Sequence, residues 1–267
     1  KDSNLFISYE RNDNITKEII FNCDYKIVWG SDQTIKNINQ FETKSTCKEL
    51  IFPDRYSISI INLKSLSKLN RDGLKKLAQK FYLDSYLFDQ NACSSPHLVI
   101  WYGKKNLNYH VKFSDELDLS VRNGKYFNLN EKNKFDKYEK FCEFSVTIPE
   151  IISSYNHDFV SRMKLKRLPK NIQNLRVGNG FFFEYFINDL KILDKFITPK
   201  IQTLTYFGFK KNELEKFIYL NKPNGIDRIV PIGRALEFNE VWDGYDLVRN
   251  LSKLIDFLSI SAAQCGD

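Results

Sequence analysis

The sequence is poor in the residues that make metal centres and disulfide frames. Its 267 residues hold one methionine and three histidines, and the five cysteines, at positions 23, 47, 93, 142 and 265, include no C-x-x-C pair. An odd, scattered set of thiols speaks against a disulfide scaffold, and His97, His110 and His157 are too dispersed to form a ligand cluster by spacing. No apolar run approaches the roughly 20 residues that cross a bilayer, and no signal-peptide pattern opens the chain. Internal repeats and low-complexity linkers are missing as well. These absences predict a reducing, cytoplasmic setting without a membrane span. The sole methionine, Met163, is internal and the chain opens on Lys1, so its first residue is not expected to be a translation start.

What is present is apolar and aromatic material, 42% and 15% of the residues, enough to bury a large core in one domain or two. The formal net charge of +7 raises the question of a nucleic-acid surface. The densest basic stretch, Arg162-Met163-Lys164-Leu165-Lys166-Arg167, alternates with apolar residues and leads to Leu168-Pro169, which reads as a strand or sheet edge with one solvated face. No nucleic-acid partner is expected. An anionic cofactor or a phosphate-bearing thioester explains a basic balance equally well.

Along the chain, Leu5–Tyr9 reads as a short strand and Ile15–Phe21 as a helix. Tyr25–Ser31 reads as a buried strand ending in a glycine turn, and Asp32–Ile38 as a helix. Lys48–Phe52 and the β-branched run Tyr56–Ile61 are the next strands. A helical pattern through Leu66, Leu69, Leu74, Leu77, Ala78 and Phe81 leads to a turn and to the strand Leu98–Tyr102. Polar residues from Lys104 to Asn133 predict surface helices and loops. Phe144–Ile148, Arg176–Glu184 with its glycine bend, and Ile201–Phe207 read as strands, and Asn212–Leu220 as a helix. A short strand from Asp227 runs into a glycine turn at Gly233, and a last helix passes through Leu251, Leu254 and Leu258. Alternating strands and helices predict an α/β fold with a mostly parallel sheet.

Three places could carry chemistry. Cys93, in Asp89-Gln90-Asn91-Ala92-Cys93-Ser94-Ser95-Pro96, sits between a helix and a buried strand, where a thiol can face a cleft as a nucleophile; equally, it can be an inert packing residue. Glu49 opens an apolar strand and is either a general base or a solvated strand-end charge. Gly30 and Ser31 end a strand at the position where open sheets bind ligands, and they also suit an ordinary β-to-α turn.

Four stretches together resemble the LuxC family of bacterial acyl-CoA reductases, the reductases of the fatty acid reductase complex of luminous bacteria, within the aldehyde dehydrogenase superfamily. They are Ile27-Val28-Trp29-Gly30-Ser31-Asp32, Asp54-Arg55-Tyr56-Ser57-Ile58-Ser59-Ile60-Ile61, the Cys93 stretch, and Arg228-Ile229-Val230-Pro231-Ile232-Gly233-Arg234-Ala235-Leu236 with Trp242-Asp243-Gly244-Tyr245-Asp246. The resemblance implies an aldehyde dehydrogenase-like catalytic domain at 49–267, preceded at 1–48 by the last strands of a Rossmann-type dinucleotide-binding domain. It implies that Cys93 carries the acyl group as a thioester, that NADPH reduces it to a long-chain aldehyde, and that Glu49 is the general base, although Ile51-Phe52-Pro53 replace the usual glycines there. The Cys93 backbone amide would be one oxyanion donor, with Gly30 and Ser31 as remaining cofactor contacts. The implied partners are a long-chain acyl-CoA or an acylated synthetase subunit, in an oligomeric complex. Because the resemblance covers the later part of the family, this chain alone is expected to bind NADPH weakly and not to turn over. Two other readings are an aldehyde-oxidising dehydrogenase and a non-catalytic module with the same fold.

Overall fold

The computed structural model describes residues 5–104, 108–124, 130–157 and 159–256. By contact the chain divides into two compact units, Lys1–Pro53 with Asn239–Asp267, and Asp54–Phe238. These outlines differ from the expected division at 48 and 49, because the carboxyl-terminal segment joins the opening residues. Assigning residues 1–48 to a dinucleotide-binding domain is a matter of function rather than compactness.

The smaller unit begins with α1 (Asp13–Asn22), β1 (Tyr25–Trp29), α2 (Asp32–Ile38) and β2 (Lys48–Phe52). Asn12 caps α1 through its side chain and Ser31 caps α2, each accepting amide protons that the first turn cannot satisfy internally. Strands β1 and β2 pair in parallel over all five of their residues. The pair is not buried as expected. Lys26 and Val28 point inward, while Ile27 and Trp29 alternate outward, with Trp29 58% exposed. The expected strand at Leu5–Tyr9 does not form; its side chains lie exposed, and no neighbouring strand pairs with them.

The larger unit continues with β3 (Tyr56–Asn62), α3 (Leu63–Leu66), α4 (Arg71–Tyr86), β4 (Pro96–Tyr102), α5 (Tyr109–Arg122), α6 (Glu131–Thr147), β5 (Ile151–Asn156), β6 (Ser161–Leu165), β7 (Phe181–Ile187), α7 (Lys191–Asp194), β8 (Ile201–Phe207), α8 (Lys211–Asn221) and β9 (Arg228–Pro231). Its seven strands lie in the order β5-β6-β7-β4-β3-β8-β9. All pairs are parallel except β5 with β6. Central strands of a parallel sheet are covered on both faces, which is why β3 and β4 are rich in apolar residues and bury even Ser57, Ser59 and His97. On one face Ile61, Val99, Trp101 and Phe182 meet Leu77, Phe81 and Phe113 of α4 and α5. On the other, Ile58, Ile60, Ile100 and Phe183 meet Phe144 of α6 and Phe217 of α8.

Two expectations change here. Phe144–Ile148 is the end of α6, not a strand. Asn130 caps this helix, its Glu and Lys residues pair three apart, and the helix runs on through the β-branched residues until Ile148 turns extended before Pro149. The basic stretch expected as a strand or sheet edge does form a strand, β6, but an inner one, since β5 covers it; Arg162 faces Glu184 at 3.7 Å and Arg167 pairs with Glu150. The chain then returns to the smaller unit with β10 (Val241–Trp242), β11 (Tyr245–Asp246) and α9 (Leu247–Asn250). The final helix expected through Leu251 and Leu254 stops after one turn, and Leu258 lies outside the described residues.

Candidate functional site

Cys93 sits where α4 gives way to β4, on a turn whose shape is set by left-handed backbone at Asp89 and Gln90, with φ of 49° and 63°. The thiol is free and half-buried. Gln90 explains why the turn holds that shape. Its side chain is fully buried; Nε2 donates to the carbonyls of Pro96 and Phe181 at 2.8 and 3.0 Å, and Oε1 accepts from the amides of Gly180 and Phe181, both at 3.0 Å. One carboxamide thereby satisfies four backbone groups and ties the turn to the start of β7. Gly180 has φ of 79°, and a Cβ there would lie 2.2 Å from the Phe159 carbonyl oxygen, so this approach requires glycine.

From the other side, Ser57 Oγ on β3 donates to the Cys93 carbonyl at 2.6 Å and accepts from the Thr203 amide at 3.1 Å. Ser95 Oγ donates to the Asp84 carbonyl at 2.7 Å, closing the turn onto the last helical turn of α4. The backbone around the thiol is therefore held by β3, β7 and α4 together.

Asp84 extends this scaffold. Its buried carboxylate accepts the Gly233 amide at 2.7 Å and the Ala235 amide at 2.9 Å, while Arg228 donates to the Ala235 and Glu237 carbonyls. Burial pushes the Asp84 carboxyl up to about 7 despite those amides and the nearby Arg228. The stretch from Arg228 to Leu236 is thus bound to the same helix that carries Cys93. Sequence reading assigned Asp84, Gln90 and Ser57 no role. For Asp84 there was a signal, since it follows Leu77 by seven residues and so falls on the apolar face of α4.

The remaining candidates belong to the smaller unit. Glu49 on β2 pairs with Lys26 of β1 at 2.7 Å, and Lys26, only 6% exposed, also donates to Asn39 at 3.3 Å. Gly30 donates its amide to the Phe52 carbonyl at 3.3 Å. Ser31 uses its hydroxyl as the cap of α2, accepting from the Thr34 amide at 3.2 Å. Among the described residues no group of three or more His, Cys, Asp or Glu side chains could hold a metal, and no helix is long and apolar enough to cross a membrane.

The fold is that of aldehyde dehydrogenases. A NAD-dependent benzaldehyde dehydrogenase from Corynebacterium glutamicum superposes with a TM-score of 0.57 at 11% identity, over 88% of this chain and 52% of that one. A lactaldehyde dehydrogenase gives 0.55 at 11% identity over 81% and 47%, and a NAD-dependent aldehyde dehydrogenase from Sinorhizobium meliloti gives 0.55 at 8% over 80% and 45%. This chain spans about half the length of the solved structures it matches. No curated protein matches it. The acyl-CoA reductase (LuxC) family matches residues 5–174, more than half of the sequence, and the chain belongs to that family.

Proposed function

We propose that this chain carries the acyl-accepting thiol of a reductase that converts a long-chain acyl thioester to a fatty aldehyde, with NADPH as reductant of the whole protein. The observation that carries the reading is the Cys93 turn, a free, half-buried thiol on a backbone held by Ser57, Gln90 and Ser95, within a chain of the acyl-CoA reductase family. In the acyl-transfer half, the Cys93 sulfur attacks the thioester carbonyl, the bond from that carbon to the donor sulfur breaks, and the donor thiol leaves with the proton that Cys93 gives up. The product is a Cys93 thioester, a better hydride acceptor than a carboxylate. The Cys93 amide would donate to the carbonyl oxygen as charge develops on it.

The hydride needed for reduction comes, by family resemblance, from NADPH. Gly30 and Ser31 are the residues of this chain proposed to contact that cofactor. A Cβ at Gly30 would meet the Thr34 side chain at 2.9 Å, and the Ser31 hydroxyl is engaged in capping α2. Glu49 remains the proposed general base by family position, and its pairing with Lys26 must loosen for it to take a proton. The donor is a long-chain acyl-CoA or an acylated partner subunit.

The deciding experiment is intact mass after incubation with a long-chain acyl-CoA. A single acyl adduct is expected, absent in Cys93→Ser. Adduct of equal yield in that variant would overturn the assignment.

A further inference from the structure

Ser57, the second residue of β3, is fully buried between Tyr56 and Ile58, and the sheet is irregular at that residue on both of its sides. Toward β4 the register runs from Ser57 opposite Pro96 to Ile58 opposite Leu98, so His97 is an extra residue. Toward β8 it runs from Tyr56 opposite Ile201 to Ile58 opposite Leu204, so Gln202 and Thr203 together face Ser57. Bulges of this kind bend a strand locally and re-aim a side chain, and they gather beside active sites. Here both neighbours of one strand bulge at the residue whose hydroxyl reaches the Cys93 carbonyl. Packing alone would ask for an apolar side chain in this position.

The bonds around Cys93 divide between the two peptide planes that meet at its Cα. The plane before it, Ala92–Cys93, is held by its carbonyl, which accepts the Ser95 amide at 2.9 Å. The plane after it, Cys93–Ser94, is held by its carbonyl, which accepts the Ser57 hydroxyl at 2.6 Å, and the Thr203 amide fixes that hydroxyl in turn at 3.1 Å. Each peptide is rigid and trans, so an anchored carbonyl also fixes the direction of the amide N–H opposite it. With both planes fixed, φ and ψ of Cys93 are set, and the Cβ that bears the sulfur has one direction relative to the Cys93 amide. With only the first plane held, the Cβ can rock about the N–Cα bond while that amide stays still.

We propose that Ser57 is a positioning residue for acyl transfer, holding the second peptide plane so that the Cys93 sulfur and the Cys93 amide address the same substrate carbonyl. The proposal rests on the acyl-transfer reading above. As the sulfur bonds to the thioester carbon, the electron pair of the C=O bond moves onto oxygen, where the amide donates to it. The pair returns as the bond to the donor sulfur breaks, and the donor thiol leaves with the Cys93 proton. Sulfur and amide must therefore meet one carbonyl group together, and a misplacement of about 1 Å costs about 100-fold in rate. Ser57 acts on this step without touching substrate, through the Cys93 carbonyl.

Acylation of the full chain by dodecanoyl-CoA, followed by intact mass over a range of concentrations, tests it. In Ser57→Ala the maximal rate of Cys93 acylation is expected to fall about 100-fold, with the half-saturating concentration unchanged within about twofold. Ser57→Thr, which keeps the hydroxyl, should return the rate to within about fivefold of the parent chain. Alkylation of Cys93 by iodoacetamide develops no oxyanion and should change by less than about threefold in both variants. A hydroxyl that only fills the bulged sheet predicts a lower urea midpoint in Ser57→Ala with acylation of the folded protein unslowed, and that result overturns the proposal. Acylation and alkylation falling by equal factors would overturn it too, because the thiol itself would then have moved out of reach. So would a folded Ser57→Thr about 100-fold slow, whether or not Ser57→Ala folds, since the hydroxyl is then not the operative group. A parent chain that takes no acyl group defeats the acyl-transfer reading and this proposal with it, whereas equal rates in the parent and Ser57→Ala defeat this proposal alone.

Discussion

The turn at Gly30-Ser31 and the turn at Asp89–Ser95 both join a helix to a parallel strand, and they are held in different ways. The first rests on local bonds, with the Ser31 hydroxyl capping its own helix and the Gly30 amide meeting the adjacent strand. The second is held from a distance, with Gln90 reaching residues 180 and 181 and Ser57 bridging the Cys93 carbonyl to Thr203. Local capping fixes where a helix begins and leaves the outer face of β1 in solvent. Long-range bonding fixes an atom in three dimensions, which is what a nucleophile requires.

The contrast breaks most sharply at Gln90. Replacing Gln90 with Leu removes four buried hydrogen bonds and leaves the Gly180 amide without its partner, while the Phe181 amide keeps the Gly178 carbonyl, and a loss of about 2–4 kcal/mol in urea unfolding is expected. A loss below about 1 kcal/mol would mean that water enters and that the turn is not held as described.

Asp84 comes next, and its effect has a sign. Its folded-state pKa of about 7 lies above the ordinary 3.8, so the folded protein holds the proton more tightly than the unfolded chain. Its stability contribution is fully present below about pH 4 and falls as pH rises to about 7, by at most about 4 kcal/mol, beyond which it is level. The groups acting on it are the Gly233 and Ala235 amides, Arg228 and Glu237. Unfolding at pH 5 and pH 8 should show that fall in the parent chain and a smaller one in Asp84→Asn. Parallel pH profiles would remove Asp84 from this account.

How much of this was legible in the sequence follows the same division. Periodicity and composition placed β3, β4, β8 and α4, because a parallel sheet covered on both faces favours strands rich in apolar and β-branched residues. It misread Phe144–Ile148, where a well-capped helix carries its β-branched end along, and it could not see that Leu5–Tyr9 lacks a partner strand. At the site, the sequence exposed Cys93 as a thiol between helix and strand. The groups that hold it, Gln90 with residues 180 and 181 and Ser57 with Thr203, are 90, 91 and 146 positions apart, and spacing cannot reveal such pairs. His97 read as one of three dispersed histidines, and only the fold brings it beside Arg176 and Tyr56.

The smallest effect is expected in the smaller unit. Glu49 is one-third exposed, so water already shares its carboxylate, and Lys26 keeps Asn39 as an acceptor when Glu49 is neutralised. Glu49→Gln should therefore cost about 1 kcal/mol, well short of what a fully buried pair would lose. Because the two parallel strands β1 and β2 are joined across this pair, amide hydrogen exchange in Tyr25–Trp29 is the sensitive measurement. Modest acceleration confined to β1 and β2, with the Gln90 amide unchanged, is the expected pattern. Acceleration at Gln90 of equal size would show that the turn carrying Cys93 depends on Glu49, and the contrast between locally and distantly held turns would fail.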